Sequence, residues 1–288
     1  DFTAIEDVDM TIKPGEIHGL VGESGTGKST VGAAVIGLLQ SPGYVANGTL
    51  TLGDTDLRNL SPAEAHKVRG DRISMIFQDP QTSLNPLMTI ERQLIETIQT
   101  HSTVSENEAR NRAVDLLEEI GIKNAAERIK AYPHQFSGGM RQRVVIALAI
   151  STDPELVIAD EPTTALDVAV QSQVLNLIQR LAKERQIAFM LITHDIGVIA
   201  QVADRVTVMR KGRVMETGVT AQVLGKPQHH YTQQLMDSVP PLDRKIDRFR
   251  VPEADDTIAS NGAMAENWLL EGSQHARTGL SLTGLSVE

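Results

Sequence analysis

The chain has 288 residues, a formal net charge of −10, 41% hydrophobic residues and no cysteine. That length holds one large or two modest domains with ample material for a buried core. The acidic balance argues against coating nucleic acid, the missing cysteines remove disulfides and thiolate chemistry, and no apolar run approaches the ~20 residues that span a bilayer.

Asp1-Phe2-Thr3 lacks the basic start and long apolar core of a secretion signal. With no initiating Met, the chain is expected to be processed or cut from a longer one. Ala4 to Ile12 alternates apolar and polar residues and predicts a half-buried strand, followed by the turn Lys13-Pro14-Gly15-Glu16. Ile17 to Val21 is an apolar run that reads as a buried strand, and Val31 to Leu39 reads as a helix stopped by Ser41-Pro42-Gly43. Gly48 to Gly53 predicts an edge hairpin, Ser61-Pro62-Ala63-Glu64 a helix start, and Arg72 to Phe77 a strand. From Thr89 to Ile150 the pattern turns helical, with helices predicted over Glu91–His101, Ser105–Ile120 and Gly139–Ile150. Strands and helices then alternate: strand Leu156–Ala159, helix Val168–Lys183, strand Ile187–Ile192, helix Ile196–Ala203 and strand Val206–Met209. Lys211-Gly212 turns the chain into Val214–Glu216. Such alternation implies α/β layers around a largely parallel sheet, with the helical block as an inserted subdomain. Leu242 to Ala276 is polar and aperiodic, and Leu280 to Glu288 regains strand-like alternation.

Between the second strand and its helix lies Gly22-Glu23-Ser24-Gly25-Thr26-Gly27-Lys28-Ser29-Thr30. It matches G-x-x-x-x-G-K-[ST] in the strand–loop–helix context that this phosphate-binding pattern needs. Glycines let the backbone curl so that its N–H groups face phosphate oxygens, at the positive end of the following helix. Lys28 adds a charge for the β- and γ-phosphates, and Ser29 a hydroxyl for Mg²⁺.

Two further stretches carry chemistry. Leu156-Val157-Ile158-Ala159 runs into Asp160 and Glu161, two adjacent carboxylates at a strand end. One such acid holds Mg²⁺ in phosphate-loop enzymes, and a neighbour can polarise an attacking water; solvated acids at a strand end explain the pair equally well. Ser137-Gly138-Gly139 opens a helix and is a second potential phosphate cradle, although alone it reads more simply as a helix cap.

The order of these motifs, with Gln78 after one strand, Asp167 after Asp160-Glu161-Pro162, and His194 after another strand, resembles the ATPase subunits of ABC transporters over roughly residues 4–240. The resemblance implies an α/β P-loop NTPase (ABC ATPase) fold: a mixed sheet core, an antiparallel β edge and an inserted helical subdomain at about 89–150. It implies ATP and Mg²⁺, with the loop and Lys28 on phosphate, and Ser29, Gln78 and Asp160 arranging the metal. Glu161 would be the general base and His194 the residue sensing the γ-phosphate. Asp167 would sit at a dimer seam, and Ser137, Gly138, Gly139 and Gln142 would close on ATP held by a partner. Phe77 to Pro86, Asp160 to Val168 and His230 to Leu235 resemble the oligopeptide, dipeptide and nickel importer branch. That branch implies a second ABC ATPase domain (same or different chain), integral membrane permease subunits and, indirectly, a solute-binding protein. It implies no nucleic acid, and a peripheral place on the cytoplasmic face of the inner or plasma membrane.

Within this reading residues 1–240 form the ATPase domain and 241–279 a linker or weakly ordered tail. Residues 280–288 resemble the first strand of a second ABC domain, which suggests a tandem two-ATPase protein. The branch often carries a cysteine-rich iron–sulfur stretch, which a chain without cysteine is not expected to reproduce. The adenine-stacking aromatic is expected upstream of Asp1, with Phe2 a doubtful substitute. His229-His230 reads as a solvated helix start, His18 and His134 as structural, Arg69 and Arg72 as surface charges, and Trp268 as a docking anchor or nothing. The alternatives are a soluble ABC-type ATPase of translation or DNA repair, and a GTPase or small-molecule kinase, which would leave Ser137-Gly138-Gly139 unexplained.

Overall fold

A computed structural model describes residues 3–164, 166–237 and 279–287. In chain order the elements are β1 (Ile5–Ile12), β2 (Ile17–Val21), α1 (Lys28–Ile36), β3 (Val45–Leu52), β4 (Thr55–Asp56), α2 (Pro62–Asp71), β5 (Ile73–Ile76), α3 (Pro80–Ser83), α4 (Ile90–His101), α5 (Glu106–Glu119) and α6 (Ala125–Arg128). A 3-10 turn (Pro133–Gln135) leads to α7 (Gly138–Ile150), β6 (Leu156–Asp160), α8 (Val168–Arg185), β7 (Ala188–Thr193), α9 (Ile196–Val202), β8 (Arg205–Arg210), β9 (Arg213–Val219), α10 (Thr220–Gly225), α11 (His230–Asp237) and β10 (Leu280–Val287).

The first sheet has the order β5-β6-β7-β2-β8-β9. Its first five strands run parallel, and β9 joins antiparallel through the Lys211-Gly212 hairpin. Apolar runs without alternation suit strands covered on both faces, and β2 and β7 are buried at every position. Helices approach closely enough that a Cβ on Gly19 would sit 2.6 Å from Ile199 Cδ1, and one on Gly32 2.9 Å from Ile192 Cδ1.

The second sheet has the order β1-β10-β3-β4, with every pairing antiparallel. Here the strands alternate: in β1 Ile5, Val8, Met10 and Ile12 point inward, and in β10 Leu280, Leu282, Leu285 and Val287 do. They share one apolar cluster with α1 and one face of the parallel sheet. The segment expected to open another domain is seated in this chain's own sheet, between β1 and β3.

The helical block is α4 to α7. Its periodic apolar residues, such as Leu94, Ile98, Leu116 and Leu117, join the other face of the parallel sheet in one cluster. Ser61 with Glu64, and Ser105 with Glu108, form capping boxes at α2 and α5. Some boundaries differ from expectation. α1 begins at Lys28 and ends at Ile36, because Gly37 adopts φ 69° and caps it, leaving Leu38 outside. The short helices α3, α6 and α10 lack the length for a periodic signal. Arg72 is no free surface charge: its Nε pairs with Glu155 at 2.5 Å, and Nη1 donates to Thr55 Oγ1 at 2.7 Å. Pro240-Pro241, Trp268, Phe2, Ala165 and the linker over 241–278 lie outside the described residues.

Candidate active site

Four neighbouring parallel strands, β5, β6, β7 and β2, end on one edge of the first sheet. The loops beyond them hold Gln78, Asp160 with Glu161, His194 and the phosphate loop. In open α/β sheets that carboxyl edge is where ligands bind.

The loop's shape is fixed by glycine chemistry. Gly25 and Gly27 take φ 81° and 94°, a region open to glycine at little cost. Gly22 is pinned from behind, since a Cβ there would lie 2.2 Å from the Met209 carbonyl oxygen. The Thr26 hydroxyl closes the turn on the Glu23 carbonyl at 2.9 Å. Lys28, buried at 6% exposure, donates to the Gly22 and Glu23 carbonyls at 2.8 and 2.7 Å. Burial lowers its pKa; Glu161, Asp160 and Glu23 oppose that shift. Its ammonium is thus held at the loop mouth by the same backbone whose amides open α1.

Ser29 Oγ donates to Asp160 Oδ1 at 3.1 Å. Burial raises the Asp160 carboxyl above its usual range, as does Glu161, while Ser29 and Lys28 pull it down. A hydroxyl and a carboxylate side by side, with the carboxylate short of countercharge, fit a hard cation that takes oxygen ligands. Mg²⁺ is such a cation.

Glu161 is the hub. Its φ of 47° is unusual for a residue with a side chain. Gln78 Nε2 donates to Glu161 Oε2 at 2.9 Å, the Thr164 hydroxyl donates to the same oxygen at 2.9 Å, and His194 Nδ1 meets Oε1 at 2.8 Å. Burial works to raise this carboxyl, but hydrogen bonds from His194 and Thr164 and the charges of His194 and Lys28 hold it below its ordinary value. Gln78, Glu161 and His194 therefore meet at one carboxylate. Gln78 is bound to the carboxylate and not to Ser29 or Asp160. Thr164 was not anticipated; its signal was its place three residues after Glu161.

The second cradle stands apart. No hydrogen bond or ion pair among the described residues joins Ser137, Gly138 or Gly139 to the phosphate loop. Ser137 caps α7 by accepting the Met140 N–H at 3.4 Å. Gly139 has a reason inside the chain, since a Cβ would lie 2.3 Å from Val170 Cγ1. Gly138 has none among the described residues: the nearest contact would be Leu166 Cδ2 at 3.8 Å, an ordinary distance. Gln142 does not line this cradle openly; it is 1% exposed, on the buried side of α7, with Nε2 unpartnered. Asp167 caps α8 through the Val170 N–H at 3.0 Å, beside Val168, which is 81% exposed. His229 and His230 form no metal pair: His229 Nδ1 accepts the Tyr231 N–H at 3.1 Å, and no group of three metal-ligating side chains occurs among the described residues.

Comparison with known proteins agrees with this geometry. Residues 5–164 match the model of the ABC transporter family, and residues 215–263 match the oligopeptide/dipeptide transporter C-terminal region. The oligopeptide transport ATP-binding protein AppD of Bacillus subtilis is 47% identical over 247 residues, covering 85% of this chain and 75% of that protein. OppD of Salmonella typhimurium is 46% identical over 84% of this chain and 72% of its own length. DppD of Escherichia coli is 43% identical over 86% and 76%. An ATP-binding cassette solved as a dimer in a post-hydrolysis state with ADP and Pi matches with TM-score 0.66 at 29% identity, over 75% of this chain and 90% of that one. A structure of cbiO1 from Clostridium perfringens, part of the transporter complex cbiONQ, matches with TM-score 0.69 at 28% identity, over 77% and 84%. The readings as a translation or repair ATPase, a GTPase or a small-molecule kinase are not favoured. The chain belongs to the ABC transporter family, in the branch of oligopeptide and dipeptide transport ATP-binding proteins.

Proposed function

We propose that this chain hydrolyses ATP at a head-to-tail dimer of ATPase domains and thereby powers a membrane importer of peptides or similar small solutes. The observation that carries the reading is the hub at Glu161, which gathers Gln78, Thr164 and His194 beside Lys28 and the Ser29–Asp160 pair.

Lys28 and the loop amides bind the β- and γ-phosphates, the ammonium exchanging loop carbonyls for phosphate oxygens. Ser29 and Asp160 would hold Mg²⁺, which would supply neutralisation of charge on those phosphates. Glu161 orients the attacking water and accepts its proton. A carboxylate held low is a weak base, but phosphoryl transfer has a loose transition state and asks mainly for a placed nucleophile. His194 Nδ1 is committed to Glu161, which leaves Nε2 free for the γ-phosphate. Gln78 ties the hub to the segment after β5, whose exposed Phe77 and Leu87 (47% and 86%) fit a membrane subunit's surface. The chain's own location is then peripheral, at the face where ATP is supplied; no helix among the described residues is long and apolar enough to cross a membrane.

Closure by a second domain is supported by Gly138, whose missing side chain nothing among the described residues requires. Gly138→Ala is expected to leave thermal stability unchanged and to cut steady-state ATP turnover by ~10-fold or more. Gly139→Ala is expected to lower both. Undiminished turnover in Gly138→Ala would refute closure over that residue. The solute class is tested by reconstituting the chain with its permeases in vesicles and following ATP-dependent uptake of labelled peptides.

A further inference from the structure

Helix α11 opens on His230-Tyr231-Thr232, part of the stretch that resembles the importer branch, and supplies nothing to the hub at Glu161. Its start is fixed by β9. Glu216 accepts the Gln228 N–H on Oε1 at 2.9 Å and the His229 N–H on Oε2 at 3.1 Å. His229 Nδ1 in turn accepts the Tyr231 N–H at 3.1 Å, and Gln233 Nε2 donates to the Pro227 carbonyl at 3.0 Å. On a helix start so held, Tyr231 points inward and is 4% exposed.

Tyr231 stands against the hairpin that backs the phosphate loop. The Arg210 guanidinium lies 4.7 Å from the centre of its ring, a distance at which cation and ring attract. Arg210 is flanked by two contacts with the loop. The Met209 carbonyl oxygen pins Gly22 from behind, and the Gly212 N–H donates to the Thr26 carbonyl at 3.1 Å. The phenol also reaches the loop itself. Burial raises the Tyr231 hydroxyl above its usual range and the Glu23 carboxylate adds to this, while the Glu23 N–H and Arg210 oppose it. Beside that N–H the hydroxyl makes no hydrogen bond of ordinary geometry among the described residues. The Glu23 carbonyl meanwhile accepts both the Lys28 ammonium at 2.7 Å and the Thr26 hydroxyl at 2.9 Å. A buried hydroxyl without a partner is costly, and the cost points to a second state in which the bond is made.

We propose that Tyr231 is a positioning residue of the nucleotide site: when ATP draws the Lys28 ammonium off the Gly22 and Glu23 carbonyls, the Glu23 peptide closes its N–H on Tyr231 Oη, and α11 thereby steadies the loop in its ATP-bound form. This role rests on ATP being the loop's ligand. A ligand shifts a protein between two arrangements only through contacts that differ between them; here the difference is one hydrogen bond. The coupling is reciprocal, so bound ATP also tightens the seating of α11.

Tyr231→Phe keeps the ring beneath Arg210 and removes only the hydroxyl. Isothermal titration of the full chain with ATP is expected to show about fivefold weaker binding, the worth of one hydrogen bond. The melting temperature without nucleotide is expected to hold or rise, since the group removed has no partner in that state. A merely structural hydroxyl would instead lower the melting temperature and leave affinity alone. Thr232→Val is the control. Thr232 is 1% exposed, and its hydroxyl also lacks a partner among the described residues; the variant is expected to hold ATP affinity within about twofold. Affinity in Tyr231→Phe equal to that of the parent chain, or equal loss in both variants, overturns the role of Tyr231. Failure of the parent chain to bind ATP overturns the function beneath it. A second measurement reads the closure itself. The chain has three tyrosines. With fluorotyrosine in their place, the fluorine resonance that is missing from Tyr231→Phe is expected to shift when ATP is added; a resonance that does not move overturns the closure of Glu23 on Tyr231.

Discussion

The two sheets of this protein are built by opposite means. In the parallel sheet the central strands β2 and β7 are buried on both faces, and β2, β5, β6 and β7 together present the phosphate loop, Gln78, Asp160, Glu161 and His194 at one edge. The antiparallel sheet contributes none of these residues. It is assembled from far-apart stretches, residues 5–12, 45–56 and 280–287, and it lies behind the loop. One sheet supplies the chemistry and the other its backing. Reactive groups cluster where neighbouring strands end together, whereas the packing behind the loop has no chemical signature.

That division is open to attack at several strengths. The largest effect is expected at the hub: Glu161→Gln keeps the shape of the side chain and should cut steady-state ATP turnover by ~10²–10⁴-fold while leaving ATP binding intact. Full turnover in that variant would remove Glu161 from the chemistry and with it the claim that the strand edge does the work. Next is Lys28→Ala, expected to weaken ATP binding about ten- to a hundredfold, as loss of a charged hydrogen-bonding partner does; isothermal titration reads this directly.

The interior of the parallel sheet has its own signature. His18 in β2 is 1% exposed and bonds Thr207 Oγ1 at 2.8 Å. Burial, and secondly the charge of Arg205, lower its pKa to about 4. The folded protein thus holds His18 neutral while the unfolded chain takes up a proton below about 6.5. Stability is therefore full above that pH and falls as pH drops from about 6.5 towards 4, by up to ~3 kcal/mol. Urea midpoints measured across that window should fall less steeply in His18→Gln; identical profiles would mean that His18 is not held neutral.

The smallest effect is expected at the join. Arg72 precedes β5, pairs with Glu155 and reaches Thr55 in the β3–β4 hairpin. Arg72→Ala should cost only ~1 kcal/mol, because the pair is partly solvated. A much larger loss would mean that the two sheets depend on each other more than their separate apolar clusters suggest.

The parallel sheet was largely legible in the sequence. Unbroken apolar runs such as Leu156 to Ala159 marked its strands, and each reactive residue stood at the end of one of them. Gln78, Glu161 and His194 were singled out by the family resemblance, and their meeting at one carboxylate follows from β5, β6 and β7 being neighbours in the sheet. Thr164 was missed because its one signal, a hydroxyl three residues after Glu161, is too common to single a residue out. Gln142 was expected to face a ligand, yet it points into the core; helical spacing from Ser137 does not reveal which side of α7 is covered. Arg72 was read as a surface charge because its partner Glu155 lies far away in sequence. The β10 segment was visible as a strand; alternation shows that a strand has one buried face but never which neighbour it pairs with, here β1 and β3.

The sequence by itself determined the local chemistry of this protein. Glycines at Gly22, Gly25 and Gly27 dictate a curled loop, Lys28 and Ser29 its charge and hydroxyl, and the motif order its family. These are properties of neighbouring residues, written in the chain. Only the tertiary structure decided what stands behind that loop. Ile5 pairs with Val287 because a sheet unites residues by backbone pairing whatever their separation along the chain, and the side chains so placed reach Gly27 from Ile5 and Gly284 from Asp9.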